Sequence, residues 1–433
     1  MLRDFKLKID NFGPINKADL DISKINIIAG KNASGKTTMS KLLYCIITAF
    51  STDGKYLTYE SLKDQTTLLI NNLQISQPET QNELDEIRFD IDTDKEYNLE
   101  TIEKSLGKIE SLIESEEIEN KELFYELIEK INRDIRGIKN IGIHWPLLTN
   151  LIKNEFSGSE QLLNNYENGK IEIYNDNEDN NFGYIIEIRE GILVKPTAKY
   201  ENTITTNREA IYIETPYFLD YKVPFSQFNY FDQKQYHQML LYQKLTDFSS
   251  KSDILDEIRN ENIIKFQTKI NKMINGNFTF NNRGLIEYKC DGKTFDLPNT
   301  STGLKSLGII QLLLENRKLK ENSYLIMDEP EVHLHPEWQV KLAEILVLLV
   351  KDLNVNLFIN SHSPQFIEAI EVYSIKHGLR NETNFYLTQK DETSEKYNVK
   401  KIEYDKLYEL YSNLGDPYDI IDEVRGKNIA NHL

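Results

Sequence analysis

The chain holds only two cysteines, Cys45 and Cys290, in 433 residues, too few for a disulfide framework or a four-thiolate zinc site. Positive charge is also scarce: 51 lysines and arginines against 69 aspartates and glutamates leave a formal net charge of −18. A protein that coats nucleic acid normally carries a basic surplus to neutralise phosphates, so that class is disfavoured. Long apolar runs are missing; stretches such as LAEILVLLV stop far short of the roughly eighteen residues a membrane span needs. The opening MLRDFKLKIDNFG lacks the cationic, then apolar, then small-residue layout of a secretory signal. A cytoplasmic protein with no membrane partner is therefore expected. There is no internal repeat and no Gly/Pro-rich linker long enough to fix a boundary. Core-forming material is ample, with 39% hydrophobic and 10% aromatic residues, which excludes wholesale disorder.

At this length two or three domains are expected, or one domain with a large insertion. Residues 1–75 read as strands (FKLKI, KINIIAG) leading into an apolar helix (MSKLLYCIITAF). From 76 to 165 the composition shifts to Glu, Lys, Asn and Ile. Ile102, Leu106, Ile109, Leu112 and Ile113 recur three or four apart, which predicts amphipathic helices rather than a solvated acidic run. Strand character returns over 166–225, helical character over 226–275. Residues 276–375 open with short hairpins and then alternate helix and strand (GIIQLLLEN, YLIMDEP, WQVKLAEILVLLVKDL, VNLFINSH), the pattern of an α/β unit with a buried parallel sheet. The remainder, 376–433, reads as a tail.

The strongest local signal is GKNASGKT, Gly30 to Thr37, which matches G-x-x-x-x-G-K-[ST] between a β-branched strand and an apolar helix. Glycine is needed where a side chain would keep backbone amides from closing around phosphate oxygens. Gly30, Lys31, Asn32, Ala33, Ser34, Gly35, Lys36, Thr37 and Thr38 are the candidate phosphate cradle. Lys36 supplies a point charge, Thr37 offers a hydroxyl to Mg²⁺, and the helix start adds its positive dipole end. In YLIMDEPE, Asp328 emerges at the carboxyl end of a buried strand, where open α/β sheets bind ligands. Asp328 suits Mg²⁺, and Glu329 suits orienting or deprotonating an attacking water. VNLFINSHSP releases His362 at what is expected to be the same sheet edge, for a contact to the γ-phosphate.

GKNASGKT, TSTGLKS, YLIMDEPEVHLHP and NSHSP together resemble the ABC-type ATPases of the SMC/OLD lineage. The resemblance covers the first 50 or so residues and about 276–375, and hardly the middle. It implies an α/β ABC-type ATPase head: a mixed sheet with a P-loop core, an antiparallel β subdomain and a helical insertion, hydrolysing ATP with Mg²⁺. In such a reading Lys36, Glu329 and His362 are catalytic. Ser301, Gly303, Lys305 and Ser306 match the family's signature segment, and Ser301 and Gly303 would meet the nucleotide of a second copy in a head-to-tail homodimer or higher homo-oligomer. EVHLHP takes the place of the D-loop, although His333 and His335 alternate on an extended chain and could also bind zinc.

Two departures narrow the resemblance. No clear Q-loop glutamine is present, the best positional candidate being the turn at Glu214 and Thr215. The span from Lys36 to Ser301 is too short for a long coiled coil, and a C-x-x-C hook is missing. The stand-alone OLD-like ATPases of bacterial antiviral systems, such as Septu or PARIS, look closest, which implies a separate effector partner, a nuclease or toxin. The acidic insertion and the tail are its candidate docking surfaces. DNA stays open as a partner, since −18 is a global sum and a dimer groove can be locally basic. Two alternatives also stay open: an ATP-binding scaffold that needs no turnover, and a repair or recombination ATPase acting on DNA ends.

Overall fold

The computed structural model describes residues 5–94, 98–115, 118, 121–141, 145–156, 168–175, 182–190, 192–194, 197–198, 208–220, 236–246, 256–281 and 285–415. It divides into two compact units, one built from Cys45–Leu151 with Tyr200–Arg208, the other from Leu2–Tyr44, Ile152–Lys199 and Glu209–Leu433.

The second unit carries the candidate motifs. Its strands, in chain order, are β1 (Phe5–Phe12), β2 (Ile15–Ile22), β3 (Ile25–Ala29), β4 (Asn168–Asn175), β5 (Phe182–Arg189), β6 (Ile192–Leu193), β7 (Thr197–Ala198), β8 (Ala210–Ile213), β9 (Asn277–Phe280), β10 (Ile286–Cys290), β11 (Lys293–Asp296), β12 (Tyr324–Asp328), β13 (Asn356–Ser361), β14 (Thr383–Lys390) and β15 (Tyr397–Ile402). Four runs, INIIA, AIYI, YLIMD and NLFINS, are buried at nearly every position. Strands buried on both faces belong inside a parallel sheet, and β8, β12, β13, β3 and β14 pair in that order, all parallel. Beyond them the sheet continues through β15, β2, β1, β4, β5 and β6, with mostly antiparallel pairing. The result is one 12-stranded mixed sheet, with a separate three-stranded antiparallel sheet of β9, β10 and β11. The mixed sheet and small antiparallel sheet are the α/β architecture expected of the head.

Among the described residues, the helices include α1 (Lys36–Phe50), α2 (Thr52–Ser76), α3 (Gln81–Thr93), α4 (Leu99–Ser115), α5 (Lys121–Ile141), α6 (Trp145–Glu155), α7 (Tyr236–Thr246), α8 (Asp256–Ile274), α9 (Thr302–Glu315), α10 (Pro336–Leu353) and α11 (Pro364–Lys376). Three of them start where a side chain and a proline or small residue make starting cheap. Ser301 caps α9 and Ser363 caps α11, each accepting a backbone N–H, with Pro364 opening α11. His335 does the same for α10, its ring accepting from the Glu337 N–H at 3.3 Å, with Pro336 next. The core of this unit gathers Ile27, Leu325, Leu357, Leu313, Leu346, Phe366 and their neighbours between helices and sheet.

The first unit is helical. Ile102, Leu106, Ile109 and Ile113 of α4 are buried with Leu69, Leu73, Ile87, Ile91, Ile128 and Ile135. Leu112 packs at the edge of that cluster. The unit also takes in α2, a 25-residue helix whose side chains alternate too weakly in polarity to stand out in sequence.

The reading of 376–433 as a tail needs correcting. β14 lies between β3 and β15 inside the main sheet, and β15 pairs with β2. Phe385, Tyr386, Leu387 and Thr388 are all buried, so β14 is part of the core. The last 18 positions of that stretch, 416–433, lie outside the described residues. Within 166–225, β4 to β7 extend the main sheet at one end, whereas β8 stands at the opposite edge. Among the described residues, no helix is long and apolar enough to cross a membrane.

Candidate functional site

The loop leaving β3 enters α1 at Lys36. Two glycines make its path feasible. A Cβ at Gly30 would stand 1.8 Å from Thr388 Oγ1, and Gly35, at φ 88°, would press a Cβ to 2.4 Å from Ile15 Cδ1. Ala33 also sits at positive φ, 59°, the left-handed region that a sharp turn uses. β14 braces it: Thr388 Oγ1 bonds Ser34 Oγ at 2.6 Å. Lys31, Asn32, Ala33 and Thr37 are exposed, Thr38 is half-buried, and Ser34, Gly35 and Lys36 are buried. The Lys36 ammonium donates to the carbonyls of Gly30 and Lys31, both at 2.9 Å, and lies 3.8 Å from Glu329 Oε1. Burial lowers its pKa, against the pull of the carboxylates of Glu329, Asp328 and Glu331.

The parallel register brings the other motifs to the same edge. Ala29 pairs with Ser361, and Asp328 with Asn360, so β3, β13 and β12 end side by side, where ligands of open α/β sheets bind. Asp328 Oδ2 accepts from the Tyr212 hydroxyl at 2.9 Å, and Oδ1 from Asn360 Nδ2 at 2.6 Å. Asn360 Nδ2 also reaches Ser40 Oγ at 2.7 Å, tying the strand end to α1. Burial raises the Asp328 carboxyl, and hydrogen bonds from Ser40, Thr37 and Tyr212 oppose the rise.

Glu329 is held at φ 47°, a conformation that costs a non-glycine residue about 1–3 kcal/mol and recurs at functional sites. Its N–H bonds Asn360 O at 2.9 Å, while its carboxylate is turned to 3.0 Å from His362 Nδ1. Both side chains are about two-fifths exposed, at 36% and 40%. Two residues on, Glu331 is buried, and its Oε1 accepts from Ser361 Oγ at 2.5 Å. Desolvation raises its carboxyl pKa, and the Ser361 hydrogen bond partly offsets this.

The structure thus gathers Lys36, Asp328, Glu329 and His362 around the loop, with Thr37 on the first turn of α1. Ser301 and Gly303 stand at the start of α9. Ser301 is exposed, and Gly303 is buried against the His333 carbonyl. Next to them a cavity of about 220 Å³ is lined by Glu214, Tyr217, Thr302, Ser306, Asp328 and Glu329, among others, and by none of residues 30–38. Zinc on His333 and His335 does not follow, because His335 is spent on capping α10. Among the described residues, no cluster of three His, Cys, Asp or Glu side chains is arranged for a metal ion.

Five residues of the neighbourhood escaped the motif reading: Ser40, Tyr212, Glu331, Asn360 and Thr388. Asn360 had a signal, a polar residue within the apolar run NLFINS, and Tyr212 a weaker one in AIYIE. The donor set fits a magnesium nucleotide: a glycine cradle closed to any Cβ, a buried ammonium, and one carboxylate with one hydroxyl. Mg²⁺ is usually held by one or two carboxylates together with substrate phosphates and water.

Over 77 residues, 18% of its length, this chain is 32% identical to the uncharacterized protein MJECL11 of Methanocaldococcus jannaschii, and it spans 65% of that relative, less than two thirds of its length. Among solved structures, the SMC head domain from Thermotoga maritima aligns over 93% of this chain and 100% of its own, at 12% identity and a TM-score of 0.41. An Smc head bound to the C-terminal winged-helix domain of ScpA aligns over 94% and 99%, at 11% identity and a TM-score of 0.45. A third, an Smc head with an extended coiled coil bound to the C-terminal domain of ScpA, derived from Pyrococcus furiosus, gives 98%, 99%, 9% and 0.42 in the same order. The model of the AAA ATPase domain matches residues 5–367, a span that includes every residue of the site just described except Thr388, and the chain belongs to the AAA ATPase domain family.

Proposed function

We propose that the chain binds ATP with Mg²⁺ on the loop of residues 30–38 and hydrolyses it to ADP and phosphate, Glu329 and His362 managing the attacking water. The observation that carries this is the placement of Glu329 Oε1 3.0 Å from His362 Nδ1 and 3.8 Å from Lys36 Nζ, beside a loop shaped for phosphate. Lys36 binds the β- and γ-phosphates, helped by the backbone amides and the N-terminal end of α1. Thr37 and Asp328 would hold Mg²⁺, which when bound neutralises charge developing on the phosphate oxygens. As the water oxygen bonds to the γ-phosphorus, the bond to the ADP oxygen breaks, and Glu329 takes the water's proton. His362 fixes the Glu329 carboxylate and donates to the departing phosphate. General-base assistance of this kind contributes roughly 10²–10⁴-fold.

The finer reading is a head-to-tail dimer in which Ser301 and Gly303 of one copy complete the nucleotide site of the other. It is supported by the exposure of Ser301 at the start of α9. ATP would favour the closed pair by differential contacts, and hydrolysis would release it. Light scattering on Glu329→Gln with ATP and Mg²⁺ is expected to show twice the single-chain mass, and Ser301→Arg to abolish the doubling. A single-chain mass under every nucleotide condition contradicts the dimer. The sequence resemblance to OLD-like antiviral ATPases supports a role as sensor or regulator of a separate nuclease or toxin, and such a gene beside this one is the expected finding; recombination genes there would favour the repair reading.

A further inference from the structure

A largely buried cluster of ionisable side chains stands behind the metal side of this site, and the proposed chemistry does not use it. Its centre is His237, on α7, with only 1% of its side chain exposed. His237 Nδ1 is 2.6 Å from Glu155 Oε2, and its backbone N–H donates to Glu155 Oε1 at 3.0 Å. On the other side, His237 Nε2 is 3.3 Å from Glu214 Oε2, and the second Glu214 oxygen is 2.7 Å from Lys41 Nζ. Ions removed from water persist only where partners replace the lost hydration. Here four ionisable groups, from α6, the turn after β8, α7 and α1, are paired with one another.

Periodicity aims this cluster at the site. Tyr212 lies on β8 and Glu214 immediately follows the strand, and both side chains reach the same histidine. His237 engages both: it ion-pairs Glu214, and its ring centroid lies 4.6 Å from that of Tyr212. The Tyr212 hydroxyl in turn donates to Asp328 Oδ2 at 2.9 Å. On a helix, residues i, i+4 and i+7 share a face, and on α1 these are Thr37, Lys41 and Tyr44. Lys41 holds Glu214, and Tyr44 packs on both rings, 5.8 Å from Tyr212 and 6.0 Å from His237. Both residues assigned to Mg²⁺, Thr37 and Asp328, are therefore anchored to the same buried histidine, one through α1 and the other through Tyr212.

We propose that His237, clamped by Glu155, is a positioning residue that sets the distance between Thr37 and Asp328 and thereby the affinity of the nucleotide site for its divalent cation. The proposal rests on the assignment of the loop 30–38 as a nucleotide site. Burial alone would drive an imidazole toward its neutral form, and here the two carboxylates overcome that and raise the His237 pKa, consistent with a standing ion cluster.

The test is Mn²⁺ affinity, measured by electron paramagnetic resonance on the full chain saturated with ADP, for wild type, His237→Gln, Glu155→Gln and the double variant. Nucleotide affinity in EDTA and thermal unfolding are measured in parallel. Each single variant is expected to weaken Mn²⁺ at least fivefold, to leave EDTA nucleotide affinity within twofold, and to give a double variant no worse than the weaker single. Unchanged Mn²⁺ affinity in folded variants overturns the proposal, as does an equal loss of nucleotide with and without metal, which marks a merely structural residue. Should the His237 variants not fold, Tyr212→Phe carries the test, since it removes only the hydroxyl on Asp328. Weakened Mn²⁺ supports the relay, and wild-type Mn²⁺ affinity overturns it. Failure of the wild type to bind nucleotide at all would instead sink the site assignment.

Discussion

His362 Nδ1 lies 3.0 Å from Glu329 Oε1, although the two residues leave different strands and are separated by the whole of α10. The contact exists because β12 and β13 are neighbours in register, Asp328 opposite Asn360, and because Glu329 turns to φ 47° and swings its carboxylate toward β13. His362→Ala is expected to reduce turnover about 10- to 100-fold, within the range of a lost proton-transfer or charge-stabilising group, while nucleotide affinity changes less than threefold. Steady-state phosphate release and fluorescent-nucleotide titration separate the two effects.

Thr388 tests the bracing of the phosphate loop from β14. Its hydroxyl bonds the buried Ser34 at 2.6 Å, and Thr388→Val keeps the shape while removing that bond. A buried partner left unsatisfied costs the fold about 1–3 kcal/mol, so the melting temperature should drop and, with the loop less firmly held, ATP affinity should fall about fivefold or more by titration. Unaltered affinity would show that the loop holds its form without β14.

Glu331 and Ser361 couple the segments after β12 and β13 through a fully buried hydrogen bond. Glu331→Ala strands the Ser361 hydroxyl and should destabilise the chain by about 1–3 kcal/mol; Glu331→Gln, which can still accept, should cost less. A double-mutant cycle with Ser361→Ala, followed by thermal unfolding, is expected to be non-additive, since the partners are in contact.

The buried cluster makes stability depend on pH from both sides. Glu214 is pushed upward by burial, but the His237 hydrogen bond and the Lys41 charge outweigh this and hold it at about 2. A carboxyl depressed below its unfolded value of about 4.3 stabilises the fold above that value, and this contribution drains away as pH falls toward 2. His237, facing Glu155 and Glu214, is raised. Its contribution is complete below about pH 6.5, the unfolded histidine value, and is lost as pH rises through the higher folded value. Melting temperature against pH should therefore plateau between about 5 and 6.5 and fall on either side, and His237→Gln should flatten the alkaline fall.

The phosphate loop was legible because its chemistry demands glycines and a lysine at fixed spacing, and Asp328, Glu329 and His362 because each follows a run of apolar residues that can only be a buried strand. The residues that hold these in place were not. Tyr212, Asn360 and Thr388 act through strand neighbours distant in sequence, and sheet order is invisible when strands that pair, such as β3 and β14, lie more than 350 positions apart. The same limit hid β14 and β15, whose polar-rich text (TNFYLTQK, YNVKKI) resembles a surface tail until β3 and β2 are laid beside it. His237 sat in a stretch read only as helical, and nothing in its local sequence announces the two glutamates it meets.

The central claim is that Lys36 grips the triphosphate while Glu329 activates water. Nucleotide titration and phosphate release on one set of proteins, wild type, Lys36→Ala and Glu329→Gln, test it most directly. The account predicts that Lys36→Ala binds ATP at least tenfold more weakly, and that Glu329→Gln binds it as tightly as wild type while releasing phosphate at least 100-fold more slowly, as the loss of a general base implies. Wild-type rates of phosphate release from both variants would contradict it.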